Sequence, residues 1–255
     1  MSEGWLRVVG VGPAGPEWLT PETAHTLQDA TDLVGYGPYV DRVGTAAARR
    51  HVSDNREELD RARHALDLAR EGGRVAVVSG GDPGVFAMAA AVMEALDADR
   101  DGRWSAVEIT VEPGVSAMQA AAARLGAPLG NDFCVLSLSD NLKPWSLVER
   151  RIRLAAEGDF AMAFYNPISK ARPWQLGAAL DVLRSVHAPD TPVVLATAVG
   201  RGESERVHLT TLADVNPADA DMRTLVLVGA STTRVIDRGG RRYVYTSRYY
   251  PEERT

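Results

Sequence analysis

Short apolar segments alternate with helix-like segments along the whole chain, and this alternation is the feature that most constrains its fold. Strands are predicted at residues 6–9, 33–36, 74–79, 107–111, 133–137, 160–165, 192–198, 206–210 and 224–228. Helices are predicted at residues 21–31, 54–70, 84–96, 118–125, 146–156 and 174–186. Strands that alternate with amphipathic helices are typical of an α/β fold, and that is the fold class we predict.

The chain has 255 residues, of which 45% are hydrophobic, so it can build one large core or two modest ones. The alternation falls into two series, and we see no repeat, low-complexity segment or long linker between them. We therefore predict a first domain at residues 1–118 and a second at residues 119–255.

Charge and cysteine content exclude several classes of partner and metal site. The net charge of −6 disfavours binding to nucleic acid or to an anionic membrane. No targeting or membrane-spanning segment is evident, so we expect a cytoplasmic protein. Cys134 is the only cysteine, which excludes a four-cysteine zinc site, and we interpret it as a small core residue. The histidines show no metal-ligand spacing, so no metal is predicted.

The segment Gly10-Val-Gly-Pro-Ala-Gly15 follows the first predicted strand and satisfies the pattern G-x-G-x-x-G. That pattern raises the alternative of an NAD(P)-dependent oxidoreductase. A dinucleotide-binding helix begins within the glycine motif, whereas Pro13 and Pro16 delay this helix to a predicted N-cap at Thr20. The context therefore disfavours that alternative, and the motif taken alone is a turn whose glycines permit unusual backbone angles.

Two further loops follow predicted strands in the first half of the chain. Ser79-Gly-Gly-Asp-Pro-Gly-Val-Phe86 combines flexible glycines with Asp82, which offers a carboxylate either to a ligand or as a simple N-cap. Glu112-Pro-Gly-Val-Ser-Ala117 places Ser116 before a helix. Because ligands bind at the carboxyl ends of parallel strands, the three loops together predict one binding site.

These three loops resemble those of the tetrapyrrole (class III) methyltransferases. The likeness continues through Phe164-Tyr-Asn-Pro-Ile-Ser-Lys-Ala-Arg172, Gly200-Arg-Gly-Glu203, Thr210-Thr-Leu212 and Thr224-Leu-Val-Leu-Val-Gly229, almost to the end of the chain. The first loop departs from the family, which usually has glycine at the position of Ala14 and often an acidic residue at the position of Gly15.

The resemblance implies two αβα domains with S-adenosylmethionine held in a cleft between them. The first domain then carries most cofactor-binding loops, and the second completes the cofactor and tetrapyrrole site. The cofactor-binding residues implied by the motifs are Pro13, Gly80, Gly81, Asp82, Val85, Phe86, Ser116, Ala117, Tyr165, Asn166, Ala198 and Thr224. Backbone amides at the helix starts would hold the methionine carboxylate, while Val85 and Phe86 contact the adenosine.

Within the family, the motifs around Tyr165, Arg172 and Arg201 are most similar to members that methylate precorrin-3B at C17 and contract its ring in cobalamin biosynthesis. The implied substrate-binding residues are Asn166, Arg172, Arg201 and Glu203, because a substrate with many carboxylates needs convergent cations. Secondary candidates are Lys143 and Lys170 as cations, and Trp145 and Trp174 as walls of the macrocycle or core anchors.

No general base is assigned, although Asp82 and Glu203 are weak candidates for proton acceptance. The resemblance also implies a homodimer whose only other partner is the small-molecule tetrapyrrole. The alternatives are a cobalt-factor III methyltransferase, a sister enzyme acting at another carbon such as C11 or C20, and a non-catalytic nucleotide-binding module. Selectivity between carbons lies in pocket shape, which the sequence does not display.

Overall fold

The computed structural model describes residues 4–43, 47–54 and 57–250. The chain divides into two compact units, Met1–Ala117 and Met118–Thr255. Among the described helices, none is both long and apolar enough to span a lipid bilayer.

The first unit is built on a five-stranded parallel sheet. Its strands are β1 (Trp5–Gly10), β2 (Asp32–Tyr36), β3 (Arg49–Ser53), β4 (Arg74–Ser79) and β5 (Glu108–Glu112), in the order β3-β2-β4-β1-β5. Its helices are α1 (Pro21–Asp29), α2 (Gly37–Val43), α3 (Glu58–Arg70) and α4 (Met88–Asp97). The central strands are apolar on both faces, as parallel strands buried between helices require.

Two apolar clusters cover the two faces of this sheet. One cluster joins the sheet to α3 and α4 and includes Leu6, Leu66 and Val92. The other joins it to α1 and α2 through Leu27 and Val40. The connections from β1 and β4 leave in opposite directions, because β2 lies beyond β4 and β5 lies beyond β1. Such a switch point between neighbouring strands is where parallel sheets bind ligands.

The second unit contains a mixed five-stranded sheet and a small three-stranded one. Its helices are α5, which begins at the boundary (Ala117–Leu125), α6 (Trp145–Glu157) and α7 (Gln175–Arg184). Its strands are β6 (Gly126–Ala127), β7 (Phe133–Ser137), β8 (Ala161–Tyr165), β9 (Pro192–Thr197), β10 (Arg206–Thr211), β11 (Thr224–Val228), β12 (Thr233–Arg238) and β13 (Arg241–Thr246). The larger sheet has the order β10-β9-β11-β8-β7, and the smaller one the order β12-β13-β6.

The strand directions of the larger sheet bring several loops together at one end of its strands, which we call one edge of this sheet. β7 and β8 are parallel, and β11 runs antiparallel to both β8 and β9. The carboxyl ends of β7, β8 and β9 therefore lie at the same edge as the start of β11. Helices α6 and α7 pack with the sheet in one core that includes Ile152, Phe164 and Leu180.

The structure confirms the predicted α/β class and the nine predicted strands, and it corrects several helix bounds. Helix α4 begins at Met88 rather than residue 84, because Phe86 has a φ of 52° and Ala87 is extended. Helix α3 begins at Glu58 rather than residue 54, and residues 55 and 56 of that prediction lie outside the described residues. The elements α2, β3, β6, β12 and β13 were not predicted.

Candidate functional site

The three glycine-containing loops of the first unit are in direct backbone contact. Gly12 and Gly81 exchange two backbone hydrogen bonds of 3.2 and 2.9 Å, which joins the loops after β1 and β4. A Cβ built on Gly114 would lie 2.3 Å from the carbonyl oxygen of Gly81 and 2.8 Å from the Cα of Gly10. The loops therefore meet so closely that only glycine fits at the crossing.

The carboxylate of Asp82 ties two of these loops together. Its Oδ1 accepts the N–H of Gly84 at 2.8 Å within its own loop, and its Oδ2 accepts the N–H of Gly114 at 3.1 Å from the loop after β5. Both carboxylate oxygens are thus engaged by backbone donors, which goes beyond a simple N-cap. This arrangement favours a role in loop geometry over proton transfer.

Gly81 is the least crowded glycine where these loops meet. Gly81 has a φ of 70°, and a Cβ built on it would meet its nearest neighbour, the Cα of Ser116, only at 3.9 Å. Ser116 is buried at the start of α5, and Val85 is half-buried beside the exposed Phe86. A Cβ at Gly81 would thus make only ordinary van der Waals contact, so the backbone there is less crowded than at Gly114, as the close approach of a ligand's polar end requires.

The first loop has an acidic group despite its departure from the family pattern. A Cβ built on Gly15 would lie 2.6 Å from an Oε of Glu17, so the Glu17 carboxylate occupies the space beside Gly15. The loop continues as a 3₁₀ turn at Pro16–Trp18, and Thr20 caps α1 by accepting the N–H of Thr23. The predicted N-cap and the delayed helix start are both confirmed.

In the second unit, predicted site residues gather at the sheet edge described above. Asn166 follows β8 and donates from Nδ2 to the Ser137 hydroxyl at the end of β7, at 2.9 Å. Thr224 begins β11 opposite Thr197, and their hydroxyl oxygens lie 2.8 Å apart. The phenol of Tyr165 accepts the N–H of Met118 at 3.0 Å.

Backbone strain coincides with these positions. Among the described non-glycine residues, a positive φ occurs at Phe86, Asp159, Asn166 and Ala198, with values from 51° to 56°. Three of the four are residues that the sequence motifs assign to the cofactor. Non-glycine residues in this region carry a cost of about 1–3 kcal/mol and concentrate at ligand sites. No sequence signal identifies these angles, because surrounding tertiary contacts impose them.

Arg172 lies on a tight turn at the same edge. Ser169 and Arg172 close the turn with two backbone hydrogen bonds, of 3.2 and 3.0 Å. The Nε of Arg172 lies 2.8 Å from Oδ1 of Asp140, a residue that the sequence analysis did not single out. The same oxygen accepts Nε2 of the buried Gln175 at 2.8 Å. Asp140 thereby links the guanidinium to the first turn of α7.

The secondary candidates lie in the same region. The ammonium of Lys143 donates to the Ser139 carbonyl at 3.0 Å. Burial and the nearby charge of Arg151 lower its pKa, against an opposing effect of Asp140. Trp145 and Trp174 form an edge-to-face pair with ring centroids 4.8 Å apart. Trp145 packs on the core, as an anchor would, whereas Trp174 is 45% exposed and offers an aromatic surface.

Arg201 and Glu203 lie on an exposed loop after β9, and a residue missed by the sequence analysis holds that loop. The carboxylate of Glu205 accepts the N–H of Gly200 at 2.7 Å and pairs with Arg124 at 2.6 Å. Hydrogen bonding from Arg124 lowers the pKa of Glu205, although burial opposes that effect. Burial raises the pKa of the Cys134 thiol, which agrees with its interpretation as a packing residue.

Comparison with known proteins places this geometry in a family. The model of the tetrapyrrole (corrin/porphyrin) methylases matches residues 6–216. The chain is 53% identical over 249 residues to a precorrin-3B C(17)-methyltransferase from a Sinorhizobium species, covering 97% of both chains. It is 40% identical over 234 residues to a probable cobalt-factor III C(17)-methyltransferase from Salmonella typhimurium, covering 91% of this chain and 95% of that one.

A solved structure agrees with both comparisons. The crystal structure of the methyltransferase CobJ matches with a TM-score of 0.90 and 51% identity, and the match covers 96% of this chain and 100% of that chain. The family model extends over most of the chain, from the first strand into the segment before β11. The resemblance drawn from the loop motifs is confirmed, and the chain belongs to the tetrapyrrole (corrin/porphyrin) methylases.

Proposed function

We propose that this enzyme transfers a methyl group from S-adenosylmethionine to C17 of precorrin-3B, with ring contraction to precorrin-4, in cobalamin biosynthesis. The observation that carries the proposal is the 53% identity to a precorrin-3B C(17)-methyltransferase across 97% of both chains. The lower identity of 40% to a probable cobalt-factor III enzyme favours the metal-free substrate over the cobalt-containing one. A cytoplasmic location remains a prediction from the sequence, and a homodimer remains a prediction from the resemblance.

The residues of the first unit fit the polar end of S-adenosylmethionine. Closely packed glycine backbones and the uncrowded backbone of Gly81 form a cradle, with the N-terminal turn of a helix following Ser116. When bound, S-adenosylmethionine supplies an electrophilic methyl group with a good leaving group. The chain therefore needs to hold an electron-rich carbon near that methyl group more than it needs a strong base.

Residues of the second unit suit the carboxylates of the tetrapyrrole. Arg172 is fixed through Nε by Asp140, and this contact leaves its other edge for a second acceptor. Arg201 and Lys170 are exposed cations on loops at the same sheet edge. Asn166 is held by Ser137, and Trp174 offers an exposed ring. We assign these residues to substrate binding and orientation.

The proposal is tested by turnover of two purified substrates. The enzyme is incubated with methyl-labelled S-adenosylmethionine and either precorrin-3B or cobalt-factor III. We expect mass spectrometry to show one added methyl group on precorrin-3B, and the absorption spectrum to show ring contraction. Efficient turnover of the cobalt compound alone would overturn the assigned substrate. Binding of NADH but not S-adenosylhomocysteine in calorimetry would overturn the assigned cofactor.

Asp82→Ala is expected to raise the Kd for S-adenosylhomocysteine about tenfold, which corresponds to about 1.4 kcal/mol. The reason is that the substitution releases the amides of both Gly84 and Gly114, so the two loops lose their shared anchor. Asp99 provides a matched control, because its carboxylate also accepts a backbone N–H, that of Trp104, away from these loops. Calorimetry showing less than a threefold change for Asp82→Ala, or an equal change for Asp99→Ala, contradicts the prediction.

A further inference from the structure

Helix α2 contacts two of the cofactor loops, although the sequence motifs give it no role. Arg42 donates from Nη1 to the carbonyl oxygens of Pro13, at 2.9 Å, and Ala14, at 3.2 Å, in the first loop. Tyr39, one turn earlier, packs against the second loop, because a Cβ built on Gly80 would lie 2.7 Å from Cζ of the Tyr39 ring. One short helix therefore touches the loops after both β1 and β4.

The two contacts form one rigid unit. The guanidinium carbon of Arg42 lies 5.0 Å from the centroid of the Tyr39 ring, within range of a cation–π interaction. The Tyr39 ring also packs edge-to-face against Tyr36, the last residue of β2, with centroids 5.3 Å apart. Between them, Val40 is completely buried in the core on this face of the sheet. The side chains that reach the loops are thus anchored to the sheet.

The hydrogen bonds of Arg42 fix the orientation of two consecutive peptide groups. A peptide bond is planar and trans, so a carbonyl that points toward Arg42 turns the N–H of the next residue the opposite way. The bonds to Pro13 and Ala14 therefore direct the N–H groups of Ala14 and Gly15 away from α2. Hydrogen bonds from a guanidinium to a carbonyl are stronger than neutral ones, so they can hold a proline-rich loop in one conformation.

We propose that Arg42 is a positioning residue for the cofactor, because its hydrogen bonds to the Pro13 and Ala14 carbonyls fix the conformation of the first loop. Tyr39 fixes the position of the second loop by packing against Gly80. The inference rests on the proposed use of S-adenosylmethionine. Lysine cannot replace arginine fully here, because an ammonium is more strongly hydrated than a guanidinium and lacks the planar group that stacks on the Tyr39 ring.

The test is calorimetric titration of the full chain with S-adenosylhomocysteine. We expect Arg42→Ala to raise the Kd at least fivefold and Arg42→Lys to raise it two- to threefold. Arg63→Ala, which removes an exposed arginine paired within α3 to Asp60, is expected to leave the Kd within 1.5-fold. Steady-state kinetics is expected to show a higher KM for S-adenosylmethionine in Arg42→Ala and an unchanged KM for the tetrapyrrole.

A second control separates positioning from general loss of stability. Leu66→Ala truncates a buried side chain on the opposite face of the sheet, so it lowers the melting temperature without touching α2. We expect its Kd to match that of the unmodified chain. A folded Arg42→Ala variant with an unchanged Kd overturns the inference. If that variant does not fold, an unchanged Kd for Arg42→Lys overturns it instead. Failure of the unmodified chain to bind S-adenosylhomocysteine overturns the proposed cofactor, and the inference with it.

Discussion

Alanine in place of Gly114 is expected to raise the Kd for S-adenosylhomocysteine at least about a hundredfold, equivalent to about 2.8 kcal/mol. The added methyl group would lie 2.3 Å from the Gly81 carbonyl oxygen and within 2.8 Å of the Gly10 backbone. Its neighbours are backbone atoms, which cannot rotate aside as a flexible side chain would. Overpacking of this kind typically costs about 1–3 kcal/mol, and more where nothing can move.

The measurement is calorimetry on the folded variant, with the melting temperature recorded in parallel. Gly177→Ala is the matched control, because a Cβ there meets its nearest neighbour, Pro217 Cγ, at 3.8 Å, within an ordinary helix. Alanine in a helix interior is favoured over glycine by up to about 1 kcal/mol, so this control is expected to be at least as stable as the unmodified chain. A Gly114→Ala variant that binds within tenfold of the unmodified chain contradicts the proposed meeting of three backbones.

The sequence alone locates the three loops of the first unit, for a physical reason. Two of the loops follow the buried strands β1 and β4, which are largely apolar, and the third follows the edge strand β5, in which apolar and polar residues alternate. Each loop leads to a helix start. Such local signals can be recognised in the sequence without knowledge of the fold. The strand order, however, depends on long-range packing, so the sequence does not show that β1 and β4 are neighbours whose connections diverge.

Two of the strands that escaped prediction, β3 and β12, are edge strands. β3 has the sequence RRHVS and lies at the edge of its sheet, so it lacks the apolar run by which a strand is recognised. β12 is also an edge strand and is mostly exposed. Helix α2 begins at Gly37-Pro38, directly after the predicted strand at residues 33–36, where no helix was predicted. Proline also favours the first turn of a helix, and that preference applies here.

The contact between Asp140 and Arg172 could not be predicted from the sequence, because no local sequence signal joins residues on two separate loops. The contact shows that the Arg172 side chain is fixed by a neighbouring carboxylate and is not an isolated cation. Nε is paired with Asp140, Gln175 steadies the same carboxylate oxygen, and a closed turn fixes the Arg172 backbone. A preorganised guanidinium loses less entropy when it binds a substrate carboxylate than a mobile one does.

Arg172→Ala is therefore expected to raise the KM for the tetrapyrrole about thirtyfold while leaving the Kd for S-adenosylhomocysteine within twofold. A hydrogen bond to a charged group contributes about 1.5–3 kcal/mol, which spans roughly a tenfold to a hundredfold effect. Because Arg172 is assigned to a carboxylate of the tetrapyrrole and not to the methionine carboxylate of the cofactor, the effects on the two ligands are expected to separate. Equal losses for both would show instead that Arg172 supports the fold.

Asp140→Asn extends this prediction to a double-mutant cycle. Asparagine keeps an acceptor oxygen for Gln175 but removes the charge that holds Arg172, so we expect a smaller rise in the tetrapyrrole KM, of about threefold to tenfold. In the Arg172→Ala background the same change is expected to add almost nothing, because its effect passes through the missing guanidinium. Asp181→Asn, in an exposed pair with Arg184 on α7, serves as the control and is expected to be silent. Additive effects of the Asp140 and Arg172 substitutions would show that Asp140 acts on the site independently. They would contradict the claim that Asp140 acts by fixing the Arg172 side chain.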